Sequence, residues 1–354
     1  MGRTWAAVLL LLLTAAAAGG AAEDRRERYG ELGRRLSGEE TTSPVDTDAA
    51  LAELFALADA EVVDNLRAGE PYASAPFIQE RLDALMAVWG GAGLRVHRLG
   101  RAPEGPALTV GVFSAPGPPP VGSLRVYARR DAEPTALASS THEGTPALHA
   151  WPPARDGATQ FVVAWMGAAS GPGGRPLVIE VWRRSRSGGA ERIWSSTAEF
   201  PDGLSVLGFG VKDGAISVRY EARYPGWHPG CQGQTEQIDV YRPDPRRGGL
   251  ALASRRVVRA WHRELQAAVS RLLAALGAGD VVTINRLVPD RAVRARLPHA
   301  LAREPACDQE SVRPPSSVAV AVTETRNGRL VPWSLTWRPS PAGWRLTAAA
   351  PMLE

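Results

Sequence analysis

The chain has 354 residues, with 41 Lys and Arg against 37 Asp and Glu, a formal net charge of +4 and 44% hydrophobic residues. That length suits two or three domains, and the hydrophobic fraction supports buried cores, which excludes a disordered or fibrous chain. The positive charge is nearly all arginine, with Lys212 the single lysine, and the arginines are interspersed with acids, which argues against a nucleic-acid-binding stripe.

In chain order, "MGRTWAAVLLLLLTAAAAGGAAED" opens with one basic residue, Arg3, then an uncharged run from Ala6 to Ala18 and small residues to Ala22. This pattern predicts a secretory signal over 1–22, cleaved after Ala22, and so an exported bacterial protein, periplasmic or extracellular. The Leu-rich part is too short for a membrane anchor, and no later stretch is apolar enough to span a bilayer. Abundant Ala, Arg, Gly and Pro beside a single Lys fit a genome rich in G and C. Residues 23–45 are charged, include the dense cluster "RRERYGELGRR", and read as a flexible leader.

Residues 46–93 predict a pair of helices. In the first, Leu51, Leu54, Phe55, Ala58, Val62 and Leu66 recur at three- and four-residue steps, with caps from Asp46 to Asp48 and a stop at Gly69 and Pro71. The second begins at the Ser74 cap with Pro76 in its first turn, carries Phe77, Leu82, Leu85 and Trp89 on one side, and ends at Gly90.

From 94 to 254 the pattern changes to short runs of β type: 94–99, 107–114, 122–129, 159–166, 176–183, 191–198, 204–211, 215–223, 234–242 and 249–254. A two-residue turn at Asp213–Gly214 sets Val211 opposite Ile216, Phe209 opposite Val218 and Leu207 opposite Tyr220. "SGPGG" (170–174) and "SRSGGAE" (185–191) predict two more hairpins. The expected domain is an antiparallel meander, either a sandwich or a partial propeller.

The richest stretch is "RYPGWHPGCQGQTEQIDVY", residues 223–241, which places His228, Cys231, Glu236 and Asp239 beside Trp227. Structural zinc needs about four ligands, usually with a second close Cys/His pair, and no such pair exists. A cysteine nucleophile needs a free thiolate beside a histidine, which is hard to keep after export. The chain has two cysteines, so the pattern predicts a Cys231–Cys307 disulfide that closes a loop of ~75 residues, about 4–5 kcal/mol on the chain-entropy model. Such a bridge clips the β region onto the C-terminal segment. Trp227, His228 and Glu236 remain candidate binding residues beside it, with His228 or an arginine as the natural partner of a buried Glu236.

Residues 255–354 predict a helix over 255–277, striped by Trp261, Leu265, Val269, Leu272 and Leu276. Asp280 caps a short helix through Val288. Two strands then turn at Asn327–Gly328, and "GWRLTAA" supplies a last strand. The helix with "LLAALGAGDVVTINRLV", the hairpin and the final "PWSLTWRP" and "GWRLTAAAP" resemble the cystatin-like α+β cone of the ketosteroid isomerase and polyketide cyclase superfamily, over residues 256–354. The resemblance implies a curved sheet wrapped over helices with a pocket at its open end. It does not carry the isomerase chemistry across, because that chemistry uses a tyrosine donor and an acidic base, and this segment contains no tyrosine. Trp333, Trp337 and Trp344 either line such a pocket, which makes Trp333 and Trp337 candidate binding residues, or fill the core.

Other motifs fail. "HEGTPALH" (142–149) lacks the i, i+4 histidine spacing of a metalloprotease helix, and "GFGVKDG" belongs to a hairpin, not a phosphate loop. The resulting expectation is an α+β protein: a helical N-terminal pair, a central antiparallel β domain and a cone-like C-terminal module. Its expected role is a non-catalytic binding or envelope-associated accessory protein for a small ligand or envelope partner, with no cofactor, metal or nucleic acid. The competing expectation is an enzyme acting on a small apolar or envelope-derived molecule in a C-terminal or interdomain pocket.

Overall fold

The computed structural model of the protein describes residues 23–38, 46–89, 93–99, 108–115, 117, 119–130, 133–170, 174–185, 189–244, 246, 248–307 and 310–352. The expected signal over 1–22 lies outside the described residues. The fold is α+β with antiparallel sheets, and it divides into two compact units. The first comprises residues up to 168 with 175–204 and 244–250; the second comprises 169–174, 205–243 and 251–354.

In the first unit, residues 23–37 form helix α1, followed by α2 (Thr47–Ala68) and α3 (Ala75–Trp89). The leader expected over 23–45 is therefore helical through 37, and its last residues, 39–45, lie outside the described set. Its periodicity was hidden by charge. Tyr29, Leu32 and the partly buried Leu36 lie on one side and join the core with Leu54, Phe55, Ile78 and Leu82, while Arg25 and Arg28 point at Glu61, Asp64 and Glu53 of α2. The start of α2 is as expected, with Asp46 accepting from Ala49 N at 3.1 Å.

Strands β1 (Gly93–Leu99), β2 (Leu108–Ala115), β3 (Val121–Arg130) and β4 (Glu133–Glu143) form one antiparallel sheet in sequence order. A second sheet takes β5 (Thr145–Ala150), β6 (Gln160–Met166), β7 (Arg175–Arg184) and β8 (Ala190–Ser195) in order, and a helical turn α4 (Ser196–Glu199) follows. Strand β2 shows how the layers stack. Leu108, Val110 and Val112 on one face share a core with Phe161, Val163, Trp165 and Trp182 of the second sheet. Phe113 and Ala115 on the other face pack with the helices. The result is a sandwich with helices on its outer side, which decides between the two expected β architectures for this unit.

Both β4 and β5 escape sequence reading. Their residues, "EPTALASSTHE" and "TPALHA", are mostly small or polar and half-exposed, so they give no apolar alternation. The strand expected over 191–198 ends at Ser195, whose hydroxyl caps α4 by accepting from Thr197 N.

The second unit contains β9 (Ser205–Val206), then β10 (Gly208–Lys212), β11 (Ala215–Glu221), β12 (Glu236–Pro243) and β13 (Leu250–Val258), the last four in one antiparallel sheet. Val211 pairs with Ile216 and Phe209 with Val218 across the Asp213–Gly214 turn, as expected. Leu207 falls just outside that ladder, its N–H reaching Arg219 O at 2.7 Å. The expected boundary at 254–255 falls inside β13, because Arg255 is held in the strand by a two-pronged ion pair with the buried Asp239. Helix α5 (Ala260–Ala278) therefore starts later than expected. It is followed by α6 (Val281–Leu287), capped by Asp280 as expected, and α7 (Arg291–Arg296).

Strands β14 (Ala302–Arg303), β15 (Val318–Arg326), β16 (Arg329–Ser340) and β17 (Gly343–Pro351) complete the unit as a sheet in that order. The β15–β16 turn is the expected Asn327–Gly328, both residues at positive φ, as a two-residue hairpin of this hand requires. Val318, Val320 and Val322 face Trp333, Leu335 and Trp337 in a core closed by Trp261, Leu265, Val269 and Leu272 of α5. Among the described residues no helix is long and apolar enough to cross a membrane.

If α1 belongs to the core, truncating Leu32 to Ala will lower unfolding stability by about 2–5 kcal/mol. Denaturant titration of the variant checks this, and an unchanged midpoint would return residues 23–37 to the status of a tail.

Candidate functional site

Between β11 and β12 the chain leaves its sheet over residues 222–235, a segment with two prolines and three glycines. Ala222 N bonds Thr235 O at 2.9 Å and closes the base. Inside, the buried Gln234 does the work of a small sheet. Its Nε2 donates to His228 O (2.7 Å) and Cys231 O (3.1 Å), and its Oε1 accepts from His228 N (3.0 Å). Backbone groups of an irregular loop that would otherwise be unpaired are thereby satisfied. Nothing in the sequence singled out Gln234, since an amide signals only through what it reaches.

Two covalent and polar fasteners tie this loop to the C-terminal strands. Cys231 and Cys307 form the expected disulfide, with Cα atoms 5.3 Å apart and a sequence separation of 76. Arg303, on β14, donates to Pro225 O (3.1 Å), Gln266 Oε1 (2.6 Å), Gln266 O (3.1 Å) and Ser270 Oγ (2.7 Å). One guanidinium thus joins the loop, helix α5 and the last sheet. Gly226 sits against it at φ +96°, a backbone angle that strains any other residue, and an added Cβ would fall 1.6 Å from an Arg303 nitrogen and displace that guanidinium.

Two clefts flank the loop. The first, of about 210 Å³, is lined by Trp227 and His228 of the loop, Gln266, residues 303–307, and Ala319, Val320 and Ala321 of β15. The second, about 380 Å³ and more open, is lined by Glu221, Gln232, Gly233, Glu236, Arg259 and Glu310, among others. The candidate residues of the loop are therefore divided. Trp227 and His228 belong to the first cleft and Glu236 to the second. His228 Nδ1 lies 2.9 Å from Pro229 O, while Trp227 Nε1 donates to Glu221 Oε2 at 3.0 Å with Arg223 against its ring.

Glu236 is buried, as the sequence reading allowed, and its partners are two arginines, Arg219 and Arg259. His228 is not among its described contacts. Arg259 is itself unusual: it caps α5 in the left-handed region (φ 56°, ψ 41°), a conformation that costs a non-glycine residue about 1–2 kcal/mol. Its carbonyl accepts from Thr235 Oγ1 at 2.8 Å and its guanidinium holds Glu236, so the surrounding bonds dictate the strained backbone. The more buried face of β12 is the other one, that of Gln237, Asp239 and Tyr241. There Asp239, fully buried, accepts from Arg255 at both oxygens and from Tyr220 Oη at 2.8 Å. Sequence reasoning missed this network because Tyr220 and Arg255 lie on different strands, and only the sheet register brings them to Asp239.

Trp333 and Trp337 line neither cleft. They are 5% and 0% exposed and pack in the α5 core, with Trp333 Nε1 donating to Glu324 Oε2 at 3.1 Å. Of the two readings open for them, core filling is the one realised, since their strand parity matches that of Leu335.

The first unit holds a polar cluster that invites a hydrolase reading. Fully buried Glu180 meets His142 (3.1 Å), Ser140 (3.0 Å), Arg192 (2.7 Å) and Trp182 Nε1 (2.9 Å). A Ser–His–acid relay needs the two imidazole nitrogens to face opposite partners. Here His142 Nε2 alone meets both Ser140 and Glu180, so the geometry is that of a buried carboxylate whose hydration is replaced by side-chain donors. Burial pushes the Asp59 carboxyl up despite bonds from Tyr127 and Arg125, but Asp59 borders neither cleft. No group of three His, Cys, Asp or Glu side chains among the described residues is arranged to hold a metal ion.

Burial works against the charge of Glu236 and of Asp239, yet the arginines outweigh it and hold both carboxyls below their usual range. Acids with depressed folded pKa values stabilise above their unfolded values of about 4, and that contribution disappears as pH falls through the folded ones. Thermal midpoints are therefore expected to fall steeply below about pH 4. Asp239→Asn will flatten that acid limb and cost about 1.5–3 kcal/mol at pH 7; an unaltered acid limb in this variant would refute the assignment.

No known family model matches the chain, and no curated protein sequence matches it.

Proposed function

We propose that this chain is an exported, non-catalytic binding protein, an accessory of the cell envelope, and that the cleft beside Trp227, His228 and residues 303–307 is its binding site. The observation that carries this reading is the way the cleft is built. Its walls come from the loop, from α5 and from the last sheet, and the disulfide and Arg303 fasten those segments to one another. A surface held this way loses little conformational freedom when it binds, which favours recognition.

General acid–base catalysis is most effective with an acid or base poised near the working pH. The buried acid of the neighbouring cleft, Glu236, is instead kept ionised by two arginines. Glu304, in the first cleft, takes a bond from Thr323 Oγ1. These arrangements support binding over turnover. Export rests on the signal-like character of residues 1–22 and fits a cross-linked cysteine pair. The cone resemblance of 256–354, with its pocket at an open end, is compatible with a ligand-binding role for the same region.

The small amphipathic fluorophore anilinonaphthalene sulfonate tests the site on the intact chain. Binding is expected to weaken at least tenfold in Ala321→Trp, which fills the cleft from the outer face of β15, and after reduction of the disulfide. Circular dichroism confirms that each form remains folded. Equal affinity in the folded Ala321→Trp protein would sink the assignment.

A further inference from the structure

Strand β15 is paired unequally on its two edges. Toward β16 the ladder runs its whole length, from Val318↔Trp337 to Arg326↔Arg329. Toward β14 it has two positions, Ala302↔Thr323 and Arg303↔Val322. Continuing that antiparallel register would set Glu304 opposite Ala321, Pro305 opposite Val320 and Ala306 opposite Ala319. Pro305 has no N–H to contribute to a ladder, so the strand stops there. The space between residues 304–307 and residues 319–321 is the cleft of about 210 Å³. Among the described residues, no backbone hydrogen bond outside the strand ladders involves residues 318–321.

In a strand, alternate residues turn both N–H and C=O toward the same edge. Among the described residues the run 318–321 therefore presents about two donor–acceptor sets without a backbone partner, spaced as only another extended backbone is spaced. The side chains fit the same occupant. Ala319 and Ala321 are small and lie toward the outer face of the sheet, whereas Val320 points to the core. A strand laid alongside would have room for β-branched or aromatic residues opposite the alanines.

We propose that this cleft receives an extended peptide segment of a partner protein, which adds as a short strand to the open edge of β15 over residues 318–321. The proposal rests on the binding role assigned to the same cleft and names its ligand class. Main-chain bonds give such a complex its affinity, and the pockets beside alternate side chains give its selectivity. The cross-linked Cys307 and the loop residues Trp227 and His228 border the cleft, so the partner strand meets a rim that the disulfide keeps in place.

The test uses the intact, oxidised chain and a pool of capped, proline-free hexapeptides with Val, Ile, Thr or Tyr at every position. Amide hydrogen exchange within 318–321 is expected to slow at least tenfold on adding the pool. The best binder is then N-methylated at alternate residues along one backbone edge or the other. One pattern must abolish binding and the other must leave it within about threefold, because only one edge faces β15. Unchanged exchange, or equal binding by both N-methylated forms, overturns strand addition. If exchange is unchanged while anilinonaphthalene sulfonate still binds in an Ala321-dependent way, the cleft remains a binding site for another class of ligand. If neither probe binds, both proposals fail. Sedimentation of the free protein provides a further check: a dimer that dissociates on Ala321→Trp would give the edge to a second copy of this chain and overturn the peptide assignment.

Discussion

The cross-link between Cys231 and Cys307 is the constraint on which the second unit depends. It joins an irregular loop, which has few ladder hydrogen bonds of its own, to a segment that has just left its sheet at Pro305. Neither piece is a regular element, and of the loop's apolar side chains only Tyr224 and Cys231 are buried. A covalent bond supplies what packing cannot. It also reduces the freedom of the unfolded chain over a long loop, where the entropic effect is largest. Gln234 and Arg303 then act locally, giving the loop's carbonyls and amides partners that no strand provides.

In both units the protein handles buried carboxylates in one consistent way. Glu236, Asp239, Glu180 and Glu61 each meet at least one arginine, and Asp239 meets its arginine through a parallel pair of bonds. A planar guanidinium suits this task, since its fork matches a carboxylate and its charge persists on burial. The near absence of lysine fits the same preference at the level of composition. Such pairs hold the Glu236, Asp239 and Glu180 carboxyls below their usual range despite burial.

The parts legible in the sequence were those whose signal is local. The turns at Asp213–Gly214 and Asn327–Gly328 need residues that tolerate positive φ, and the flanking alternation set their registers. Helices α2, α5 and α6 announced themselves through caps and apolar spacing. What stayed hidden had its signal elsewhere in the chain. Helix α1 is stabilised by acids on α2, so its own residues looked like a charged leader. Strand β4 is half-exposed and polar because its partners, not its own alternation, make it a strand. The boundary expected at 254–255 failed for a similar reason: the Asp239 carboxylate holds Arg255 in the sheet.

The sequence by itself determined the α+β class, the hairpin registers and the pairing of the two cysteines, because each follows from neighbouring residues or from a choice among two thiols. Tertiary structure alone decided that Trp333 and Trp337 fill a core, that Glu236 answers to Arg219 and Arg259, and that β15 keeps an open edge beside a cleft. Those outcomes depend on which strands become neighbours, and a contact between distant residues leaves no periodic trace in either of the segments that make it.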